Sequence, residues 1–194
     1  MSDRSRPSAI PEIPEPPHDE TLASRRGYDG AWLHVRVDDA RLPSGRIRPR
    51  EVVEHPGAVA IVALTVADEV VLLRQFHHAI GRSLLGLPAG TLEPGETPVA
   101  TARRELREET GYVAGEMREL ASYYTSPGYT DERLTIFLAV DCVLAPTERD
   151  ADELIAVAAV PLAAIPALVT PGPNQLRDAK SLIGLLLLLR ERAG

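Results

Sequence analysis

Between Gly90 and Tyr112 the chain reads GTLEPGETPVATARRELREETGY, and its chemistry lies in the carboxylates. Thr97 is placed to cap a helix with Pro98 at its first position, and Gly111 to stop it. A helix is therefore predicted from Pro98 to Thr110. At about 100° per residue, Glu105, Glu108 and Glu109 fall on one stripe, within an arc of about 100°. Val99, Ala102 and Leu106 share a different, apolar face suited to packing on a sheet. Arg104 stands four residues before Glu108, within reach of an ion pair. Three carboxylates on one stripe repel, and two arrangements relieve this. One is a hard divalent cation, Mg²⁺ or Mn²⁺, for which oxygen ligands are suited; Gly90 and Gly95 would let a loop bring carbonyls or Glu96 to the same place. The other is a solvated face paired with Arg103, Arg104 and Arg107. Charge pattern alone leaves both open.

The elements that must position this segment follow from pattern. Val59 to Val66 and Val70 to Arg74 are nearly continuous apolar strands around an Asp68-Glu69 turn, and Tyr112 to Tyr124, Leu134 to Val143 and Leu154 to Val160 read as further strands. A second helix is predicted from about Asn174 to Arg192, and a weaker one from Leu162 to Val169. Upstream, Tyr28 to Val37 and Arg50 to His55 are extended runs separated by turn chemistry at Pro43-Ser44-Gly45. Together these predict a mixed α/β (α+β) domain with helices packed on a sheet, and a small N-terminal antiparallel sheet that must dock elsewhere, because two strands alone are marginal. The expected organisation is an arm over residues 1–24, disordered or extended, a β-subdomain over 25–57 and the main domain over 58–194. The first seventeen residues carry five prolines and no apolar signal core.

Composition narrows the function classes. With 28 acidic and 21 basic residues the formal charge is −7, which leaves no basic excess for nucleic acid or an anionic membrane. A small phosphorylated ligand stays possible, since metal ions mediate between carboxylates and phosphate. The single cysteine, Cys142, excludes a disulfide framework and a cysteine-rich zinc site. The longest apolar run, Leu182 to Leu189, falls far short of the roughly twenty residues of a membrane span. A cytoplasmic protein is expected.

The spacing of the central segment resembles the Nudix box: glycine, five residues, glutamate, seven residues, then Arg-Glu-aliphatic-any-Glu-Glu-any-Gly. Gly90, Glu96, Arg104, Glu105, Leu106, Glu108, Glu109 and Gly111 fill its places. The resemblance implies a Nudix fold, a mixed sheet sandwiched between helices, and metal-assisted hydrolysis of a pyrophosphate. By it, Glu105 and Glu109 are metal ligands, Glu108 a further or water-mediated one, Arg104 orients the carboxylates and Glu96 braces the loop. The flanks, RQFHHAIGRSLLGLPAG (Arg74 to Gly90) and SPGYTDERLTIFLA (Ser126 to Ala139), with Pro127 sixteen residues after Gly111, resemble the ADP-ribose pyrophosphatase subgroup.

That subgroup resemblance implies Mg²⁺ as cofactor, with Mn²⁺ able to substitute and two or three ions when substrate is bound. It adds the carbonyl of Ala89 as a metal ligand, and a loop carboxylate as base, Glu153 before Asp150 or Asp152. Arg50 is expected to reach the nucleotide across a homodimer, and Glu132, in the loop of Pro127, to touch substrate. Trp32 or Tyr28 can stack on adenine, though Trp32 is equally suited to a strand core. Two departures bear on the substrate. His77 stands where the subgroup often has a phosphate-binding arginine, a task left to His77, Arg74 or Arg82. Gly86 replaces a common glutamate, so a buried brace is expected to be missing. The implied reaction is cleavage of ADP-ribose to AMP and ribose 5-phosphate. The alternatives are another nucleoside diphosphate sugar such as GDP-mannose, and a sensor that binds ADP-ribose without cleaving it.

Overall fold

The computed structural model describes residues 13–145, 155–172 and 175–193. The chain divides into two compact units between Val52 and Val53. In the first, β1 (Glu20–Asp29), β2 (His34–Arg41) and β3 (Ile47–Glu54, which runs across the division) form a three-stranded sheet in the order β1-β2-β3. Glu20 to Ser24, assigned to the arm from composition, are thus the start of a strand, held by antiparallel pairing with β2. The predicted run Tyr28 to Val37 is broken instead by a turn, closed by the Gly30 amide donating to the Leu33 carbonyl at 2.9 Å. Trp32 sits in that turn and is 96% exposed, so its strand-core alternative falls. Asp38, by contrast, is buried; bonds from Ser24 and Arg36 hold its carboxyl below the usual range, against the opposing pull of burial.

The second unit is built on an eight-stranded sheet. Its spine is β11 (Ile155–Pro161), β5 (Glu69–His77), β4 (Ala58–Thr65) and β10 (Arg133–Leu144), with β8 (Tyr112–Val113) beyond. β6 (Arg82–Gly86) pairs with β5, β7 (Ala89–Thr91) with β4, and β9 (Glu116–Tyr124) with β10. Only the β4–β10 pair, among the described strand pairs of this sheet, is parallel. The short β6 and β7 escaped prediction because RSLLG and AGT carry no alternation; they exist because neighbours pair them.

Continuous apolar strands are what a sheet buried on both faces requires. Successive side chains of β4 point to opposite faces, and the core divides accordingly. Val59, Ile61 and Ala63 meet Ala102 of α1 (Pro98–Glu105) and Leu106 just after it. Ala60, Val62 and Leu64 meet Leu185 and Leu188 of α3 (Ala179–Ala193) and Ile165 of α2 (Ile165–Val169). The result is the expected sandwich. Val99 does not join the α1 contact but is 40% exposed. Thr101 is buried instead, its hydroxyl donating to Glu96 Oε2 at 2.9 Å. α3 starts at Ala179 rather than near residue 174, because the Leu176 amide is drawn to the Leu168 carbonyl at 2.9 Å, tying that stretch to α2. Among the described residues no helix is long and apolar enough to cross a membrane.

α3 approaches the sheet closely at Gly184. A Cβ there would lie 2.9 Å from methyls of both Leu87 and Val62. Gly184→Val is therefore expected to destabilise the protein by about 1–3 kcal/mol through overpacking, whereas Leu186→Ala, at a half-exposed position, should stay within roughly 0.5 kcal/mol. Urea midpoints at constant m-value check the pair.

Candidate functional site

The segment singled out from sequence forms a loop, a helix and a loop. Thr97 caps α1 as expected, its hydroxyl accepting from the Ala100 amide at 3.4 Å, with Pro98 at the first position. After Glu105 the helix widens into a π-type turn, Leu106–Thr110, a form that concentrates at functional sites. Gly111 ends it at φ 79°, where its amide donates to the Arg107 carbonyl at 2.8 Å; that left-handed conformation favours glycine. Leu106 points into the core and Glu109 is buried as well, so the turn carries one carboxylate inward while Glu108 stays exposed.

Arg104 organises the carboxylates. Its Nε and Nη2 grip Glu96 Oε1 and Oε2, each at 2.9 Å, as a fork on a carboxylate. Its Nη1 donates to Glu105 Oε1 at 2.8 Å and to Glu108 Oε2 at 3.0 Å. The guanidinium bond, against some burial and helped by the Glu93 amide and Thr101, holds the Glu96 carboxyl down to about 2. The reciprocal bonds, from Glu96 first and then Glu108 and Glu105, push the Arg104 pKa up. Part of the repulsion on the stripe is thus relieved by arginine, as the solvated-face alternative requires, but by one buried-side guanidinium rather than by Arg103 and Arg107.

Glu109 and Glu105 are placed differently from a surface pair. Glu109 Oε2 accepts from the Ala89 amide at 2.8 Å. A Cβ on Gly90 would lie 1.9 Å from Glu105 Oε1, so the bare backbone of the loop lies against that carboxylate. Among the described residues, no three His, Cys, Asp or Glu side chains converge as a ready-made cage. Mg²⁺ characteristically uses one or two carboxylates with water and substrate phosphate rather than such a cage. A hard, all-oxygen donor set on a glycine-cleared loop fits that mode.

The other predicted residues fall in several places. His77 shares a cavity with Gln75, Ala89 and Glu109, whereas Arg74 lines a separate one and Arg82 is exposed; of the three offered for phosphate, His77 alone is brought to the box. Glu132 is half-buried, with Oε2 accepting from Thr125 Oγ1 at 2.5 Å, and Pro127 is exposed in the same loop. In the N-terminal unit Arg50 donates to Asp19 Oδ2 from Nε at 2.9 Å and Nη2 at 2.7 Å, and Tyr28 is 57% exposed. Asp150, Asp152 and Glu153 lie outside the described residues.

Sequence alone missed the start of α3. Ser181 Oγ accepts from the Leu87 amide at 2.8 Å and donates to Asp178 Oδ2. A Cβ on Gly86 would come 3.1 Å from Asp178 Oδ2, so these two side chains occupy the space that a residue larger than glycine would claim. The brace expected to be missing is supplied from the far end of the chain. Nearby, the Tyr123 hydroxyl is buried with no hydrogen-bond partner among the described residues; burial first, then the charges of Asp178 and Glu132, push its pKa up.

Comparisons with known proteins agree with this geometry. The NUDIX domain model matches residues 54–182, and that of the nucleoside diphosphate sugar hydrolase N-terminal domain matches residues 20–53. The ADP-ribose pyrophosphatase of Bacillus subtilis is 35% identical over 175 residues, 90% of this chain and 95% of that protein. The methanol dehydrogenase activator of Bacillus methanolicus is similar to the same extent, 35% over 175 residues, again with 90% and 95% covered. A crystal structure of an ADP compounds hydrolase superposes with a TM-score of 0.79 at 26% identity, covering 91% of this chain and 95% of that one. On the family model and the near full-length relatives together, the chain belongs to the Nudix family.

Proposed function

We propose that the protein hydrolyses the pyrophosphate bond of ADP-ribose to AMP and ribose 5-phosphate, with Mg²⁺ as cofactor and Mn²⁺ able to replace it. The observation that carries the reaction type is the coupling of Glu109 to Ala89 and of Glu105 to Gly90, because it sets buried and half-buried oxygens on one loop-helix junction. The substrate rests on the likeness to an ADP-ribose pyrophosphatase along nearly the whole chain, and to an ADP compounds hydrolase. A cytoplasmic location accords with this chemistry.

In this reading Glu105, Glu109 and the Ala89 carbonyl hold the metal, with Glu108 at its outer edge; bound there, the ion would neutralise phosphate charge and polarise phosphorus. Arg104 orients Glu105 and Glu108 through its hydrogen bonds to both, and Glu96 fixes Arg104 in turn. Glu132 and Pro127 shape the substrate side, and His77 faces phosphate, more strongly when protonated. Glu153 takes the proton of the attacking water, a role that follows from the resemblance alone. Arg50 and the exposed ring of Trp32 would serve the nucleotide from a second copy. Support for a homodimer comes from β1, every residue of which is exposed along the edge of the three-stranded sheet.

Purified protein incubated separately with ADP-ribose, GDP-mannose, NADH and ATP tests the substrate. AMP should appear fastest from ADP-ribose and vanish with EDTA; faster cleavage of another compound would replace the substrate while keeping the chemistry. Glu109→Gln should lower turnover by about 10²-fold or more with the circular dichroism spectrum unchanged, and a near-native rate would remove Glu109 from the metal site.

Gly90→Ala should cost at least about tenfold in kcat, since a methyl cannot coexist with Glu105 in its place. Wild-type kcat in this variant would show that the loop and carboxylate need not touch. Light scattering at micromolar concentration should return twice the 21.0 kDa chain mass, and a monomer would exclude Arg50 acting across an interface.

A further inference from the structure

Beside the box lies a cavity of about 140 Å³, where a single water would need only roughly 10–15 Å³. Its polar walls are Gln75, His77, Ala89, Glu109, Asp178 and Lys180. Lys180 is the chain's single lysine against twenty arginines. Its ammonium bonds Asp178 Oδ2 at 2.7 Å, and its side chain is only 22% exposed. Asp178 immediately precedes α3 and Lys180 lies in its first turn, so the pair sits at the start of that helix, beside the cavity. Asp178 is itself anchored by Ser181, which holds the Leu87 amide. The ammonium is therefore placed relative to the Leu87 backbone, two residues before Ala89.

Charge decides what this placement is for. Glu109 and Asp178 make the cavity wall acidic, and an anion entering it needs a cation. Of the residues lining the cavity, Lys180 is the one lysine or arginine; Arg104 is committed to Glu96, Glu105 and Glu108. An ammonium has three donors and Asp178 takes one of them. We infer that Lys180 is a substrate-binding residue that donates to a phosphate oxygen of the diphosphate, with Asp178 and Ser181 as its positioning residues. The inference rests on the reading of the substrate as a diphosphate.

Steady-state kinetics on ADP-ribose with Mg²⁺ compare wild type, Lys180→Gln and Lys180→Arg. Lys180→Gln should raise KM about tenfold with kcat within roughly threefold and an unchanged thermal midpoint, and Lys180→Arg should recover part of the loss. An unchanged KM in Lys180→Gln beside an active wild type overturns the inference and leaves the substrate reading intact. A wild type inactive on ADP-ribose overturns the substrate reading instead. Calorimetric titration with inorganic pyrophosphate and Mg²⁺ then decides Lys180: weaker binding in Lys180→Gln supports it, and equal binding overturns it. If Lys180→Gln fails to fold, acetylation of native Lys180, followed by peptide mass spectrometry, replaces it; slower labelling with Mg²⁺-pyrophosphate supports the contact and equal rates overturn it.

Discussion

Like charges at close range are the constraint on which this site depends. Glu96, Glu105 and Glu108 are gathered on one guanidinium, that of Arg104, whose pKa they raise while Glu96 is held ionised down to about 2. A guanidinium suits this task because its donors lie in a fixed planar fork. Glu109 turns inward and accepts from the Ala89 amide. Separation and compensation together let the carboxylates coexist on a helix that is only eight residues long before it widens.

The scaffold exists to hold that arrangement against the sheet. Alternation along β4 sends every second side chain to α1 and the others to α2 and α3, so one strand fixes both layers. The β4–β7 pairing then sets Ala89 opposite Ala60 and Gly90 opposite Val59. The loop backbone that touches Glu105 and Glu109 is thereby in register with the most buried strand of the molecule.

Much of this was legible in the chain. The cap at Thr97, the stop at Gly111 and the glutamate spacing are local signals, and local signals survive without knowledge of the fold. The continuous apolar runs of β4, β5 and β10 announced a sheet covered on both faces. What stayed hidden depends on distant partners. β6 and β7 are strands only because β5 and β4 pair with them. The burial of Thr101 in place of Val99, and the turn that exposes Trp32, arise from single hydrogen bonds that periodicity does not encode. Asp178 and Lys180 stand some seventy residues beyond the box, so no local spacing ties them to it. Even so, a lone lysine in an arginine-rich chain was a visible oddity.

The bond from the Leu87 amide to Ser181 spans 94 positions. Chains are made from the N-terminus at about 5–20 residues per second, so the box is synthesised well before the helix that braces the backbone leading into it. Until α3 has emerged and docked, Leu87 lacks that partner, and the apolar face of β4 that α3 covers has no lid. A nascent chain therefore holds its full set of box carboxylates before the framework that aligns them is complete. Hydrolytic competence is expected to arrive late and all at once, with the closing of the sandwich rather than with the synthesis of the motif.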